Sequence, residues 1–227
     1  MTKRKHRRER ARLFQTISQQ SQKGSATHSH HPIAASSLAA TPSLAALEES
    51  SELTKMKKFR FQLMHEWIVA RMSPGRVADV GGGKGLLAYL LQQSGWQATV
   101  IDPIEQALPT KYKDFILNRR VKIGPDETVP HITEEFAPEM AEPFDLLVSM
   151  HAHGCNIQLI DVAASSQKPV ILLPCCIIQE PLLPAPGQHW IECVVEYALG
   201  KNLIVEPFRL NFRGQNIGLH IYSAPAA

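Results

Sequence analysis

Val77-Ala78-Asp79-Val80-Gly81-Gly82-Gly83-Lys84-Gly85-Leu86-Leu87, followed by Val100-Ile101-Asp102, is the stretch on which the fold turns. An apolar run meets a glycine turn, a helix start follows, and a second apolar run ends in a carboxylate. A doubly wound sheet builds a nucleoside-cofactor site in this way. Glycines at 81, 83 and 85 put the third glycine one residue too early for a dinucleotide fingerprint, whose place holds Leu86. A phosphate-binding P-loop needs Ser or Thr after its lysine, and Gly85 follows Lys84. Both of those nucleotide readings therefore fall. A bare backbone from Gly81 to Gly83 permits positive φ and close approach of a ligand. Asp102, at the end of the second strand, is placed to accept hydrogen bonds from two ribose hydroxyls.

Outward from this stretch, strands and helices alternate. The patterns predict strands over 76–81, 97–102 and 144–150, with a short one near Val121-Lys122-Ile123. Further strands are expected over 170–173, 203–210 and 217–223, the last two as an antiparallel hairpin around Arg213-Gly214-Gln215. Helices are expected over 84–94, 110–118, 156–166 and 188–199, with a short one inside the proline- and acid-rich 125–142. Before the first strand, Phe59, Leu63, Met64, Trp67, Ile68 and Met72 recur at helical spacing, and Lys55, Lys57, Lys58 and Arg60 crowd the first turns of that helix. Alternation of this kind means parallel pairing and right-handed crossovers, an α/β, doubly wound fold.

Charge divides the chain. Residues 1–12 carry Lys3, Arg4, Lys5, Arg7, Arg8, Arg10 and Arg12 against Glu9, a net +6, so the remainder is −3 with histidines neutral. Residues 13–50, rich in Ser, Ala, Gln and His, are expected to form a disordered linker with at most a short helix. The domain reading is a basic, disordered extension over 1–50 and one catalytic domain over 51–227. By charge alone the basic head suits RNA phosphates, a nuclear import signal or a solvated tail. No apolar run approaches the about 18 residues of a membrane span, so a soluble, intracellular protein, cytoplasmic or nuclear, is expected. The four cysteines, with Cys175 and Cys176 adjacent, make no spaced disulfide framework and point to a reducing compartment.

The glycine stretch, with Asp79 two residues before its first glycine, resembles motif I of class I S-adenosylmethionine-dependent methyltransferases, and the resemblance covers roughly 51–227. It implies a Rossmann-like, seven-stranded sheet closed by a C-terminal antiparallel hairpin. S-adenosylmethionine is the cofactor implied, held by Asp79, Gly81, Gly82, Gly83, Gly85 and Asp102, with Met150 at the end of the fourth strand.

His151-Ala152-His153-Gly154-Cys155 follows the fourth strand and Pro174-Cys175-Cys176 the fifth. Ligands of such sheets bind beyond the carboxyl ends of adjacent strands, so these clusters should meet beside the cofactor. The pattern is similar to a methyltransferase-like family, related to tRNA 2′-O-methylases, with His-x-Cys-Gly after strand four and Cys-Cys after strand five. Here His153 stands at the family's cysteine and Cys155 falls after the glycine. The Asn/Asp-Pro-Pro-Tyr/Phe signature of amino-group methylases is absent, and Ser149-Met150-His151-Ala152 stands in its place. The resemblance and the basic head imply an RNA methyltransferase acting on tRNA or rRNA. A protein or small-molecule methylase and a non-catalytic binding subunit remain open.

His151, His153 and Cys175 are the candidate catalytic residues. An imidazole could take a proton from the acceptor, or satisfy a backbone carbonyl in the core. A thiolate at Cys175 could act as a covalent nucleophile. The spacing of these His and Cys residues is not a strong structural-zinc pattern, so no metal is expected and packed, reduced thiols are. The loop Gln179 to Gly187, stiffened by three prolines, either walls the substrate entrance or merely connects.

Overall fold

A computed structural model describes residues 3–25 and 59–224 of the chain. The elements are α1 (Lys3–Ser25), α2 (Arg60–Val69), β1 (Arg76–Val80), α3 (Leu86–Gln92), β2 (Gln97–Ile101), β3 (Lys111–Lys113) and β4 (Arg120–Lys122). They continue as β5 (His131–Ile132), β6 (Leu146–Met150), α4 (Asn156–Ser166), β7 (Val170–Leu173), α5 (Trp190–Gly200), β8 (Leu203–Arg209) and β9 (Ile217–Ser223).

β1, β6 and β7 are buried almost end to end, the pattern of strands covered on both faces. They lie in a seven-stranded sheet of order β5-β2-β1-β6-β7-β9-β8. The first five pair in parallel, and β9 runs antiparallel to both β7 and β8. Counting only the strands of this sheet, the order is 3-2-1-4-5-7-6, and the expected closing hairpin is present. Successive strand residues point to opposite faces. Val77 and Val148 accordingly pack with Met64, Ile68, Leu87 and Leu91 of α2 and α3. Ala78, Val80 and Leu147 pack with α4 and α5 on the other face.

Two expectations are overturned. Residues 110–118 are not a helix: Lys111–Lys113 pairs antiparallel with Arg120–Lys122 in a hairpin apart from the main sheet. Turn chemistry outweighs the helical pattern there, because the Asp114 carboxylate accepts from Leu117 N at 2.7 Å and Asn118 turns at φ +49°. The third position of the sheet is filled instead by the two residues His131 and Ile132 beside β2. The short helix expected in 125–142 is a single 3-10 turn, Pro138–Ala141.

The second correction is at the amino terminus. Residues 3–25, expected as a basic, disordered head and linker, form one helix. Ile17 is fully buried in the core under α5 and β8, flanked by Leu13 and Phe14, and the Ser21 hydroxyl donates to Ile17 O at 2.8 Å. Apolar or small residues at 13, 14, 17, 21 and 24 make a narrow stripe with helical spacing, too short to stand out among the polar residues around it. The rest of the expected linker, 26–50, and Lys55, Lys57 and Lys58 lie outside the described residues.

Candidate active site

β1 and β2 end side by side, and the chain leaves β1 through the glycine turn. Gly81 N donates to Ile101 O at 2.8 Å, and Gly81 sits at φ +67°, where a side chain is strained. A Cβ on Gly82 would lie 2.6 Å from Asp79 Oδ2. The bare backbone of Gly82 therefore rests directly on the Asp79 carboxyl. Asp79 is 1% exposed, and its Oδ2 has no hydrogen-bond partner among the described residues. Burial, aided by the nearby Asp102 charge and opposed by a hydrogen bond from the Ala88 backbone, pushes its pKa up to about 7.

Asp102 closes the turn from the β2 side. Its Oδ2 accepts from Gly83 N and its Oδ1 from Ile104 N, both at 2.9 Å, while its carbonyl bonds His131 Nε2 at 2.9 Å. A carboxylate offers about four lone-pair sites, so two remain for a ligand's hydroxyls after these backbone bonds. α3 starts at Leu86, two residues later than expected, with Gly85 left-handed at its N-cap. Next to Lys84 and Gly85 opens a cleft of about 450 Å³ with walls that include Val100, Leu108, Val129 and His131.

The other half of the site hangs from β6 and β7. Met150 pairs in register with Leu173 and is buried at the strand end. His151 follows at φ +60°, its N–H donating to Leu173 O at 3.3 Å, and its ring stands edge-on to Phe212 at 6.1 Å. The Cys175 thiol donates to His151 O at 3.7 Å. His153 is exposed, and its ring nitrogen and the sulfurs of Cys175 and Cys176 lie within 4.8 Å of one another. Burial, then the neighbouring Cys176 thiol, pushes Cys175 up to about 11, so the thiol is neutral at physiological pH. Cys155 is also raised to about 11, chiefly by burial, with its sulfur 3.4 Å from Ser149 Oγ. The two halves touch: a Cβ on Gly81 would fall 2.3 Å from the Cβ of Ala152.

Three positioning residues escape the sequence reading. Glu180, buried in the proline loop, accepts from Asn156 N at 3.1 Å, from the Asn156 amide at 2.5 Å and from Ile157 N at 3.2 Å. It caps α4 and ties the loop after β7 to the loop after β6. Gln215 donates to Cys175 O at 3.2 Å and accepts from Arg10 of α1 at 2.6 Å. Ala152 supplies the contact with the glycine turn. Glu180, an acid following a cysteine pair and flanked by proline, was the detectable signal; nothing local marks Gln215 or Ala152.

Neither a protein-family profile nor a curated protein matches the sequence. Solved structures similar to this chain include several methyltransferases. A mutant of MtNAS in complex with S-adenosylmethionine is 15% identical over 79% of this chain and 72% of its own, with TM-score 0.42. A TehB-like SAM-dependent methyltransferase from Corynebacterium glutamicum is 12% identical over 79% and 95%, with TM-score 0.39. A precorrin-6y methyltransferase from Geobacter metallireducens is 14% identical over 76% and 94%, with TM-score 0.40. This chain spans 42% of the length of monomeric WbdD, at TM-score 0.40. The fold assignment rests on the strand order and connectivity of the chain itself.

Proposed function

We propose that this chain is an S-adenosylmethionine-dependent methyltransferase and that its acceptor is RNA. The observation that carries the first part is the orphaned Asp79 Oδ2 beneath the bare Gly82, one strand away from the Asp102 carboxylate. A buried carboxylate oxygen without a partner calls for a donor, and the cofactor's methionine ammonium is one. Asp102 would hold the ribose, and the apolar walls at Val100, Leu108 and Val129 suit a purine. When bound, the cofactor supplies a methyl group on a sulfonium, open to in-line displacement. In this reading the His151 imidazole would take a proton from an acceptor hydroxyl or amine, and His153 beside it faces the same loop after β7.

The RNA part is supported by α1. Arg10 is joined through Gln215 to the carbonyl of Cys175, so the cationic helix docks beside the candidate acceptor loops. Arg8 and Arg12 are exposed nearby on the same helix. Tests of both parts use the full chain. Calorimetry with S-adenosylmethionine should show saturable heat that Asp102→Ala weakens at least about tenfold, the loss of one charge-assisted contact. No heat in the wild type would overturn the cofactor reading. Tritium from the labelled methyl group should enter the RNA of a cell extract, and binding to mixed tRNA should fall with salt and with Arg8→Ala/Arg12→Ala. Label confined to protein or small molecules would move the acceptor to those classes. Among the described residues no helix is long and apolar enough to cross a membrane.

A further inference from the structure

The loops after β6 and β7 assemble a donor set that neither loop contains alone. In-register parallel pairing of Met150 with Leu173 sends both chains off the same edge of the sheet. His153 then lies three residues and Cys175 two residues beyond the pairing. The two loops are fastened together: a Cβ on Gly154 would sit 3.0 Å from Gln179 Cβ, and Glu180 bonds three donors at the start of α4. His151, directly after β6, and Gln179, six residues beyond β7, each bend their loop at φ +60°. Left-handed non-glycine residues of this kind concentrate where a site has to be held.

Within this frame one imidazole nitrogen and two sulfurs lie within 4.8 Å of one another, with the sulfurs 3.4 Å apart. Tetrahedral coordination at Zn–S about 2.3 Å and Zn–N about 2.0 Å places sulfurs roughly 3.8 Å apart and sulfur and nitrogen roughly 3.5 Å apart. The three atoms reach that geometry by shifts of about 1 Å or less, within the freedom of half-exposed side chains. We propose that His153, Cys175 and Cys176 bind one zinc ion, leaving the fourth tetrahedral position to water or to a heteroatom of the methyl acceptor. Thiolate and imidazole are the ligands zinc prefers, and three protein ligands with one open position are the mark of a reactive rather than a structural site. The remaining cysteines stay outside it: Cys155 is buried against Ser149, and Cys193 is buried on α5. Gln215, bonded to Cys175 O, steadies one ligand from the third side. Metal binding stands independently; only the acceptor role of the open position rests on the methyltransferase reading.

The test takes the full chain, reduced with a phosphine, loaded with zinc or cobalt(II) and dialysed. Roughly one metal per chain is expected by elemental analysis. The cobalt form should show thiolate-to-metal charge transfer and the intense visible bands of a tetrahedral centre. Cys175→Ser, Cys176→Ser and His153→Ala should each weaken zinc at least about 10–100-fold, whereas Cys193→Ala leaves it unchanged. Wild-type protein without stoichiometric metal or thiolate charge transfer would overturn the site, as would full zinc affinity in the Cys175 and Cys176 variants. The cobalt spectrum of the wild type reports the ligands even if a variant misfolds. Calorimetry with S-adenosylmethionine on metal-free and metal-loaded protein separates the two readings. Metal without cofactor heat removes the methyltransferase assignment and keeps the site; cofactor heat without metal does the reverse.

Discussion

Gly81 and Asp79 show how narrow the tolerances are at the level of single residues. A methyl group on Gly81 would meet Ala152 at 2.3 Å on a backbone held at φ +67°. Gly81→Ala should therefore destabilise by at least roughly 1–3 kcal/mol, from the left-handed backbone alone, in denaturant melts. An unchanged midpoint would mean that the two loops do not touch. Asp79 sets a pH dependence. Its pKa in the fold, about 7, lies above the ordinary 3.8, so the fold favours the protonated carboxyl. The stabilisation this gives is complete below about pH 4 and is lost as pH rises through about 7. Ionising this buried group costs on the order of 3–5 kcal/mol, and Asp79→Asn, neutral throughout, escapes that cost. The variant's advantage over wild type in unfolding free energy should grow from pH 4 to pH 8. Parallel stability curves would refute the assignment. The same substitution should weaken S-adenosylmethionine, whose cationic ammonium is the partner proposed for the carboxylate.

Among the elements, α1 departs furthest from its composition. Its +6 start and polar body read as a disordered, basic extension, yet Ile17 is buried on α5 and β8 with Leu13 and Phe14 partly buried beside it. Ile17→Ala should cost about 2–5 kcal/mol, the penalty of emptying a fully buried aliphatic site. Hydrogen exchange should then accelerate across 8–24 before the sheet is affected. If the melt and the exchange pattern stay as in wild type, the helix does not dock. The β3–β4 hairpin makes the converse case. Its residues carry a helical pattern, but Asp114 and Asn118 hold a turn, and Tyr112 packs near Tyr89 and Ile123.

For the whole molecule, the decisive joint lies between the two halves of the site. Glu180 is its peg: three donors at the start of α4 converge on one buried carboxylate. Glu180→Ala should lower stability by about 3 kcal/mol or more, since each of the three buried donors left unpaired costs about 1–3 kcal/mol. It should also loosen the His153 and Cys175 loops, which crosslinking between cysteines placed at 154 and 179 would report as a slower yield. Much of this architecture was legible beforehand. β7, α4 and β9 begin and end where their patterns predict, because buried parallel strands and amphipathic helices write their burial into local periodicity. The glycine turn and Asp102 were legible for a similar reason, since backbone conformation and strand-end chemistry are local demands. The docking of α1 and the hairpin at 111–122 were not; the approach of the His153 loop to Cys175 and Cys176 was expected from the adjacency of their strands. The docking of α1 depends on contacts with α5 and β8 far along the chain, and the hairpin on a turn at Asp114 and Asn118 that outweighs a helical pattern. Periodicity and turn chemistry by themselves determined a doubly wound sheet with a glycine turn after β1; tertiary packing alone decided that α1 buries its stripe on α5 and β8 and that Glu180 and Gln215 fasten the loops at the sheet's carboxyl edge, because those contacts join residues far apart in the chain.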